Sequence, residues 1–376
     1  MSKTPKRILF TSHTANFQKF NRPYMRMLRG TLEAPYEDLN IGGWKVDYAS
    51  ANEEEIFDAD NAFKVNFARS PLAFHNHIKA YKQLKKILNN NHYDLIHTHT
   101  PVGSIITRLA ARKARADGTK VIYTSHGFHF YKGAPLKNWL LYFPIEKHCA
   151  KFTDLIITIN HEDYERAKKS FRTKVKEING VGVDVSKLKR STSDKKKQEI
   201  RKKLGLSSND FVICYTAEFT ANKNHRFILN SLAPLLRRHK DIKLLFLGKG
   251  RLLEATKTLA KELSIEKQVI FPGYVEKVYD VLGACNLAIS ASLREGLGLG
   301  VIEAQLCGLP IIVSDNRGHR EIVGNYTKNL YDPKDEDAFR KKVESAFSGE
   351  DYYIEFNEKF SLRSSLKKMR DIYLSF

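Results

Sequence analysis

Strand-like and helix-like segments alternate along almost the whole chain, and this alternation narrows the choice of fold more than any other feature. Short runs rich in β-branched and aromatic residues, such as RILFTS (Arg7–Ser12), are separated by helical patterns such as HNHIKAYKQLKKILNN (His75–Asn90). Strands that alternate with helices form parallel sheets covered by helices on both faces. The second half repeats the rhythm, beginning with FVICYTAE (Phe211–Glu218). The sequence therefore predicts an α/β protein with two doubly wound, Rossmann-like domains.

The position of the domain boundary follows from length and composition. At 376 residues the chain is too long for one ordinary domain and suits two of roughly 150–200 residues. Between the two halves lies a polar, lysine-rich stretch, Asp184–Gly205, whose length and charge suit a connection over the surface. We predict domains at 1–185 and 186–358, followed by a C-terminal helix at 359–376 that packs back toward the first domain.

Composition excludes several classes of protein. An apolar fraction of 42% against 28% charged residues is typical of a soluble globular protein. No apolar run approaches the roughly 18 residues of a membrane span, and the N-terminus lacks the apolar region of a signal peptide, so we expect a cytoplasmic protein. The four cysteines are widely spaced, which favours reduced core thiols over disulfides or a zinc site. The formal charge of +21 is either a solvated basic face or a surface for nucleic acid, anionic lipid or phosphorylated ligands.

One segment of the second half concentrates unusual residues where a ligand is expected. In doubly wound sheets, ligands lie beyond the carboxyl ends of the strands. REGLGLGVIEA (Arg294–Ala304) follows the predicted strand NLAISAS and sets Glu295 and Glu303 around three alternating glycines. Small residues let backbone N–H groups approach a ligand, and a helix N-terminus favours an anion such as a diphosphate. The two carboxylates would then point to neutral hydroxyl groups. Alternatively, Glu303 only interacts with the helix dipole, and the glycines are ordinary loop residues.

Further strand ends carry residues of the same kind. His126 ends a strand in YTSHGFHFYKG, and Lys223 lies in the loop after the first strand of the second half. LFLGKGR and FPGYVEK supply two more glycine-bearing strand ends, at Gly248 and Gly273. Together with the E-x7-E pair, these motifs resemble those of family 4 glycosyltransferases of the GT-B fold, in the branch that makes bacterial capsular polysaccharide and exopolysaccharide. The resemblance extends from about Lys6 to the C-terminal helix.

This resemblance implies a GT-B architecture, in which two Rossmann-like domains face a central cleft. It also implies a retaining transfer from a nucleotide sugar, most commonly UDP-linked, with the acceptor bound by the N-terminal domain and the donor by the C-terminal domain. Neither a cofactor nor a metal is implied. The acidic triplets Asp58–Asp60 and Asp335–Asp337 lack the setting of a metal-binding D-x-D, and we interpret them as surface or capping residues.

The resemblance assigns roles to residues by their position. His126 and Glu295 would act at the transferred sugar, and Lys223 would neutralise the diphosphate. The other donor-binding residues would contact the ribose, the diphosphate or the base; they are Gly248, Gly273, Tyr274, Val275, Gly298, Leu299, Gly300 and Glu303. Among these, Glu303 would bind the ribose hydroxyls.

Two loops depart from the family pattern. Glu218 stands where an arginine is usual, so the usual pair of cations on the diphosphate is not intact. The candidate substitutes are Lys249, Arg251 and Arg317, and the sequence does not choose among them. The first loop lacks a Gly-Gly pair. Its candidate contacts to the diphosphate or acceptor are instead Thr14, Ala15 and Asn16.

The histidines of the first half have two interpretations. His126 either contacts the substrate or only caps the end of its strand. For His97, His99 and His129 we favour a structural role, because a lone histidine in a strand or on an apolar face is more often part of the core.

Basic and aromatic residues are interleaved in two acceptor-side segments of the first half, NFQKFNRPYMRML and FHFYKGAPLKNWLLYF. The aromatic residues are Phe17, Phe20, Tyr24, Phe128, Phe130, Tyr131 and Trp139, and the basic ones are Lys19, Arg22, Arg26, Lys132 and Lys137. Leu140, Leu141 and Phe143 are expected to face the sheet. The mixture suits a surface resting on anionic lipid. With the resemblance, it predicts a polyprenyl-diphosphate-linked saccharide acceptor, reached by peripheral docking at the inner face of the cell membrane.

Two other classes of protein remain open. A sugar-nucleotide epimerase or hydrolase of the same fold would use additional acids, and no second acid pair is marked in the sequence. A nucleic-acid-binding protein would fit the charge, but the chain has no aromatic-interleaved basic strand and no recognition-helix motif. Nucleic acid is therefore not predicted as a partner.

Overall fold

The chain divides into two units, each built on one parallel sheet. Unit 1 comprises Met1–Gly182 and Leu362–Phe376, and unit 2 comprises Val183–Ser361. The computed structural model describes residues 5–51, 55–70, 72–190 and 193–376. The boundaries between the units thus fall at 182/183 and 361/362, beside the predicted 185/186 and 358/359.

Seven strands form the sheet of unit 1. They are β1 (Arg7–Thr11), β2 (Lys45–Ser50), β3 (Asn61–Lys64), β4 (Leu95–His99), β5 (Lys120–Ser125), β6 (Leu155–Thr158) and β7 (Lys174–Glu177). Their order in the sheet is β3-β2-β1-β4-β5-β6-β7, and every neighbouring pair is parallel. Strands β4 and β6 are buried along their whole length, as expected where helices cover both faces of a sheet.

The helices of unit 1 include one from the far end of the chain. They are α1 (Gln18–Arg29), α2 (Phe74–Asn90), α3 (Pro101–Ala110), α4 (Arg112–Ala116), α5 (Leu136–Ala150), α6 (His161–Ser170) and α14 (Leu362–Leu374). Helix α14 packs against α1, where the hydroxyl oxygens of Tyr24 and Ser365 lie 2.7 Å apart. The C-terminal residues therefore complete unit 1.

Six strands form the sheet of unit 2. They are β8 (Phe211–Thr216), β9 (Ile242–Leu247), β10 (Val269–Gly273), β11 (Leu287–Ser290), β12 (Ile311–Ser314) and β13 (Leu330–Tyr331). Their order is β10-β9-β8-β11-β12-β13, again parallel throughout. From β8 the chain continues to β9 and β10 on one side and then returns to β11 on the other side, so the strand order reverses between β8 and β11. Ligands of such sheets bind at the carboxyl ends of the two strands that flank this reversal.

The helices of unit 2 include one within the stretch predicted as a surface connection. They are α7 (Asp194–Lys203), α8 (His225–Arg238), α9 (Leu253–Glu262), α10 (Val278–Leu282), α11 (Leu299–Leu306), α12 (Arg317–Val323) and α13 (Glu336–Phe347). The second part of the predicted connection thus forms a helix. Ser193 caps α7, and Lys196 forms an ion pair with Asp280 on α10 at 2.6 Å. Lys195, Lys202 and Lys203 of this helix are exposed, and Lys196 and Lys197 are half-buried.

The cysteines and the helix lengths complete the description. Cys149, Cys214 and Cys285 are buried, Cys307 is partly buried, and all four are free thiols. None of the helices within the described ranges has the length and apolar character that crossing a bilayer requires.

Candidate functional site

An ion pair between Lys223 and Glu295 occupies the carboxyl edge of the unit 2 sheet. Lys223 ends a short 3-10 helix (Ala221–Lys223) that follows β8, and Glu295 lies in the loop between β11 and α11. The ammonium Nζ contacts the carboxylate Oε1, and the two side chains are only 26% and 14% exposed. Residues 72 positions apart in the sequence thus form one site.

Both members of this pair are charged at neutral pH. Burial opposes the charge on Lys223, but the Glu295 carboxylate outweighs it and raises the pKa of Lys223 above its usual value. Burial likewise opposes the charge on Glu295, but the Lys223 ammonium lowers the pKa of that carboxyl group. The ammonium has three N–H donors, so the contact with Glu295 leaves donors for a ligand.

Hydrogen bonds to the backbone fix the loop that carries Glu295 and the turn that carries Lys223. The Leu293 N–H donates to the Asn222 carbonyl at 2.8 Å, and the Asn222 side-chain amide donates to the Arg294 carbonyl at 2.9 Å. The Tyr215 hydroxyl donates to the Lys223 carbonyl at 2.9 Å. The pair is therefore held by rigid elements on both sides.

Two glycines allow close approach of the chain beside this pair. A β-carbon at Gly300 would lie 2.9 Å from the Thr216 carbonyl oxygen, so only glycine lets α11 begin so close to the end of β8. Gly248 has φ +150, and a β-carbon there would lie 2.1 Å from the Ala217 carbonyl oxygen. Leu299 and Gly300, in the first turn of α11, line the same pocket as Lys223, and a helix N-terminus favours an anion.

The structure brings together five of the predicted donor-binding and catalytic residues of unit 2. Lys223, Glu295, Gly298, Leu299 and Gly300 line one pocket. The other predicted residues lie outside the lining of this pocket. Gly248 and Gly273 meet at the ends of β9 and β10, where the Gly248 N–H donates to the Gly273 carbonyl at 2.8 Å, followed by Tyr274 and Val275. Glu303 lies one turn into α11 and is half-buried.

The candidate substitutes for the missing arginine differ in their surroundings. Arg317 is buried, and its Nε donates to the backbone carbonyl of Glu295 at 3.3 Å. Lys249 is exposed, with its Nζ 5.2 Å from the centre of the Tyr274 ring, and Arg251 is exposed as well. Of the three, Arg317 is the one that contacts the Glu295 loop.

Sequence reasoning missed His319, which also lines the pocket of Lys223 and Glu295. This residue is fully buried on α12, and its backbone N–H donates to Asn316, the N-cap of the helix. The signal was present, because GHRE closely follows the strand PIIVSD and so lies at a carboxyl strand end. The same rule that selected the loop after β11 would have selected the loop after β12.

In unit 1, three histidines meet at the carboxyl ends of β4 and β5. His99 Nδ1 lies 3.1 Å from His126 Nε2. His97 is hydrogen-bonded through both ring nitrogens, to the Tyr373 hydroxyl at 2.7 Å and to the Thr124 hydroxyl at 2.8 Å. His97 is therefore structural, as predicted.

His99 holds His126 in one tautomer. The Nε2 atom of His99 is buried and has no hydrogen-bond partner. A buried N–H without an acceptor is costly, so we place the His99 proton on Nδ1, from which it donates to His126 Nε2. His126 then carries its own proton on Nδ1. The role predicted for His99, purely structural, thus extends to orienting the predicted catalytic His126.

Burial keeps these histidines neutral. It lowers the pKa of His97 to about 3 and that of His126 to about 4, and it lowers the pKa of His99 well below its usual value. His126 therefore acts as a neutral hydrogen-bonding group at physiological pH. His129, also predicted to be structural, stacks on Tyr142 with ring centres 4.5 Å apart.

The first loop packs beside this histidine cluster. Thr14 precedes a short 3-10 helix (Ala15–Phe17), Ala15 is buried and Asn16 is exposed. The Phe17 ring lies edge-on to His126, with ring centres 4.7 Å apart. The loop thus contributes an aromatic contact through Phe17, whereas roles for Thr14, Ala15 and Asn16 stay predictions.

The predicted acceptor-side aromatic surface is wrong in part. Tyr24, Phe128 and Phe130 are at most 2% exposed and belong to the core. Conversely, Leu140 and Leu141, expected to face the sheet, are 71% and 45% exposed. The reason is the helical period of α5. Its inward face is formed by residues spaced three and four apart, Trp139, Phe143, Glu146 and Ala150, and this leaves the adjacent leucines outside.

We expect unit 1 to lose stability as the pH falls from 6.5 toward 4. In the unfolded chain these histidines bind protons near pH 6.5. In the folded unit burial lowers the pKa of all three, to about 3 for His97 and about 4 for His126, so the unfolded state takes up more protons. The free energy of unfolding should fall by about 1 kcal/mol per pH unit for each of the three histidines. Urea unfolding at pH 7.5 and 5.5, followed by tryptophan fluorescence, measures this loss.

One variant and one control test whether the buried histidines cause this pH dependence. His97→Gln removes one titrating group and should reduce the slope, whereas replacing the exposed His75 by glutamine should not. A slope unchanged by His97→Gln would contradict the assignment.

Two parallel-sheet, Rossmann-like units in one chain, with a cation–carboxylate pocket at the strand ends, define a GT-B protein. Solved GT-B structures show the same fold. Anabaena HepE in complex with UDP and glucose superposes with a TM-score of 0.77 at 17% identity, covering 99% of this chain and 100% of that chain. The lipopolysaccharide glycosyltransferase WaaG superposes with a TM-score of 0.68 at 13% identity, covering 97% and 95%.

Sequence comparison identifies the family. The model for glycosyl transferases group 1 matches residues 196–363, and the glycosyl transferase 4-like model matches residues 32–160. EpsD of Bacillus subtilis (strain 168), named as a glycosyltransferase, is 35% identical over 99% of this chain and 97% of its own length. The chain belongs to the family 4 glycosyltransferases, and it is a transferase enzyme. This assignment decides against the epimerase or hydrolase and against the polyanion-binding protein.

A second relative carries a more specific name. The UDP-Gal:alpha-D-GlcNAc-diphosphoundecaprenol alpha-1,3-galactosyltransferase of Escherichia coli is 28% identical over 71% of this chain and 70% of its own length.

Proposed function

We propose that this protein transfers a hexose or N-acetylhexosamine, with retention of configuration, from a UDP-sugar to a polyprenyl-diphosphate-linked saccharide in bacterial surface polysaccharide synthesis. The observation that carries the proposal is the buried Lys223–Glu295 pair beside the first turn of α11. The Escherichia coli relative, whose name specifies a UDP-sugar and a diphosphoundecaprenol acceptor, and HepE, solved with UDP and glucose, support the choice of substrates.

The pocket suits a leaving diphosphate next to a sugar. In the transfer, the bond between the anomeric carbon and the phosphate oxygen breaks, and the electron pair stays on the phosphate. The acceptor hydroxyl oxygen bonds to the anomeric carbon, and its proton passes to the departing diphosphate oxygen. The Lys223 ammonium and the backbone N–H groups of Leu299 and Gly300 stabilise the negative charge that develops on the phosphate. No metal is needed for this step in our proposal, and neither is a cofactor.

The carboxylates then bind hydroxyl groups. Glu295, neutralised by Lys223, accepts hydrogen bonds from the transferred sugar without repelling the diphosphate. Glu303, further along α11, binds the ribose, and Gly273, Tyr274 and Val275 contact the base. The neutral His126 is proposed to donate a hydrogen bond to the transferred sugar from Nδ1.

Transfer assays and a donor screen test the proposal. The purified protein is screened by thermal shift against UDP-, GDP- and dTDP-sugars, since a ligand of the folded state raises the unfolding temperature. The best donor is then incubated with a short polyprenyl-diphosphate-linked N-acetylhexosamine, with and without EDTA. We expect an α-linked product from an α-linked donor, formed at the same rate in EDTA. Activity that is lost in EDTA and restored by Mg²⁺ or Mn²⁺ would overturn the metal-free part.

We expect the two glutamates to affect different kinetic constants. Glu303→Ala should weaken donor binding by about 1–3 kcal/mol, because it loses a hydrogen bond to the bound nucleotide. Glu295→Ala should mainly lower kcat, because it acts on the transferred sugar. Steady-state kinetics and calorimetric binding of UDP separate the two effects, with Glu262→Ala at the exposed end of α9 as the control. Unchanged affinity and turnover in both variants would contradict the assignment.

The corrected surface of unit 1 supports membrane docking by α5 in place of the predicted aromatic residues. We define the α5 surface as the exposed residues Leu136, Lys137, Leu140, Leu141 and Lys147. Leu136 is 73% exposed and Leu140 71%, beside two lysines on the same helix. An apolar patch with adjoining cations is the composition of a surface that rests on anionic lipid. We propose that it holds the enzyme at the inner face of the cell membrane.

Liposome co-sedimentation tests the α5 surface. The protein should bind vesicles containing anionic lipid, and binding should fall as salt is raised. Lys137→Glu with Lys147→Glu should weaken it by about 1 kcal/mol for each lost cation, and Leu136→Glu with Leu140→Glu should abolish it. Leu374→Glu, at a leucine 56% exposed on α14, is the matched control. Binding that is unaffected by both double variants would remove the docking role while leaving the transferase.

A further inference from the structure

The imidazole of His319 presents one unpaired nitrogen to the donor pocket. The side chain is fully buried, and its Nε2 atom has no hydrogen-bond partner. A β-carbon built on Gly298 would lie 3.4 Å from this Nε2, which places it where α11 begins. A β-carbon at the neighbouring Gly318 would lie 2.8 Å from the β-carbon of Glu295. His319 therefore adjoins the Glu295 side of the pocket.

The other ring nitrogen fixes the tautomer. Nδ1 lies 2.7 Å from the Ser314 carbonyl oxygen, which can only accept, so Nδ1 carries the proton and donates. The Asn316 amide nitrogen lies 2.9 Å from Nδ1, but its two N–H groups have other acceptors, the Ser292 carbonyl at 3.0 Å and the Ser314 hydroxyl at 3.4 Å. The Ser314 hydroxyl itself donates to the Ser292 carbonyl at 2.7 Å. Nε2 is therefore without a proton as long as the ring is neutral.

The ring is neutral at physiological pH. Burial lowers the pKa of His319, and although Glu295 and the Ser314 carbonyl act in the opposite direction, the pKa stays below its usual value. The pocket wall thus carries a bare acceptor at Nε2, and the Glu295 side chain lines the same pocket. The same pocket also contains a positive charge, on Lys223, and backbone N–H donors, in the first turn of α11.

Only some parts of a nucleotide sugar match a bare acceptor. A phosphate oxygen of the diphosphate has no proton at neutral pH and would face a lone pair. A hydroxyl group donates a hydrogen bond, and two neighbouring acceptors suit two neighbouring hydroxyls of one sugar ring. We propose that His319 is a sugar-recognition residue of the donor site, accepting through Nε2 a hydrogen bond from a hydroxyl group of the transferred hexose next to the one held by Glu295. This inference rests on the proposed function.

Two substitutions separate the two nitrogens of His319. In His319→Asn, the side-chain amide keeps a donor near the Ser314 carbonyl but has no acceptor at the position of Nε2. In His319→Gln, the longer amide places an acceptor oxygen near that position. We expect His319→Asn to weaken binding of the nucleotide sugar by about 10–100-fold while UDP binds within about threefold of wild type. His319→Gln should recover part of the lost affinity.

Calorimetry with UDP and with the best donor of the thermal-shift screen measures both affinities. An equal loss for UDP and the nucleotide sugar would overturn the inference, because it would point to the diphosphate or to misfolding. Unchanged affinity for both in His319→Asn would overturn it as well. If the wild-type protein binds UDP but no nucleotide sugar, the proposed function fails along with the inference.

Deoxy donors provide a test that does not depend on the variant folding well. One monodeoxy form of the donor sugar should bind the wild-type protein about 10–100-fold more weakly than the parent. His319→Asn should bind that analogue and the parent equally, because the contact is already lost. Wild-type affinity that is insensitive to every deoxy change, or a variant that still discriminates as strongly as wild type, would contradict the assignment.

Discussion

Lys223→Ala is expected to lower kcat/KM by about 10²–10³-fold, the size of effect seen when one preorganised group at a developing negative charge is removed. The loss has two parts. The leaving diphosphate loses its cation, and Glu295 becomes a buried carboxylate without a partner next to that diphosphate. Glu218, which stands where the family usually has an arginine, provides no second cation, and this makes the chain more dependent on Lys223.

The double variant separates these two parts. Lys223→Ala with Glu295→Ala removes the unpaired carboxylate, so the affinity for UDP should recover relative to Lys223→Ala while kcat stays low. Lys223→Arg restores the charge and should regain part of the activity. Lys257→Ala, at a lysine of α9 whose side chain is 40% exposed and pairs with Glu254, controls for the loss of one positive charge from unit 2. A Lys223→Ala enzyme within fivefold of wild type would show that this pair is not the diphosphate site.

Glu146→Ala is expected to destabilise unit 1 by about 3–5 kcal/mol, because it leaves a buried guanidinium without its counter-ion. Arg108 on α3 is 0% exposed, and its Nη2 donates to Glu146 Oε2 on α5 at 2.7 Å. The same nitrogen donates to the Ser104 hydroxyl at 3.1 Å, and the guanidinium lies 4.2 Å from the centre of the Tyr123 ring. Removing Glu146 thus leaves the Arg108 guanidinium buried between α3, α5 and β5 without a counter-ion.

Fluorescence isolates this effect. The two tryptophans, Trp44 and Trp139, both belong to unit 1, so their urea transition reports that unit alone. The double variant Arg108→Met with Glu146→Leu should recover most of the loss, since an apolar pair of similar volume avoids burying charge. Glu165→Ala, on α6, changes one acid of the same unit outside this pair and serves as the control. A loss below about 1 kcal/mol in Glu146→Ala would mean that the guanidinium finds another partner.

The main strands and helices could be predicted from the sequence because each of the longer ones has a hydrophobic periodicity of its own. RILFTS and FVICYTAE correspond to β1 and β8, and the alternation of such runs with helices predicted the two parallel sheets. The edge strands β3, β7 and β13 were not predicted. They contain only four, four and two residues, too few to show a period of their own, and pairing with a neighbouring strand is what makes them strands.

The loops that form the site could be predicted from a topological rule. The side-chain contacts within the site and the buried face of α5 could not, because they depend on packing. The rule that ligands lie beyond carboxyl strand ends selected Lys223, Glu295 and His126. It could not show that Lys223 and Glu295 touch, because that contact depends on how the loops after β8 and β11 fold. Leu140 lies in LLYF, which is apolar on every side, so no pattern tells which face of α5 packs inward.

Because α14 packs in unit 1, the two units are expected to fold in a particular order during translation. Tyr373 reaches His97 across 276 positions, and Ser365 reaches Tyr24 across 341, so unit 1 is discontinuous in the chain whereas unit 2 is contiguous. Translation proceeds from the N-terminus, and contacts between distant positions must wait for the later residue. Every residue of unit 2 is made before α14 exists. Unit 2 is therefore expected to finish folding first. Unit 1, although most of it is translated earlier, can complete its fold only after α14 has been made and Tyr373 can bind His97.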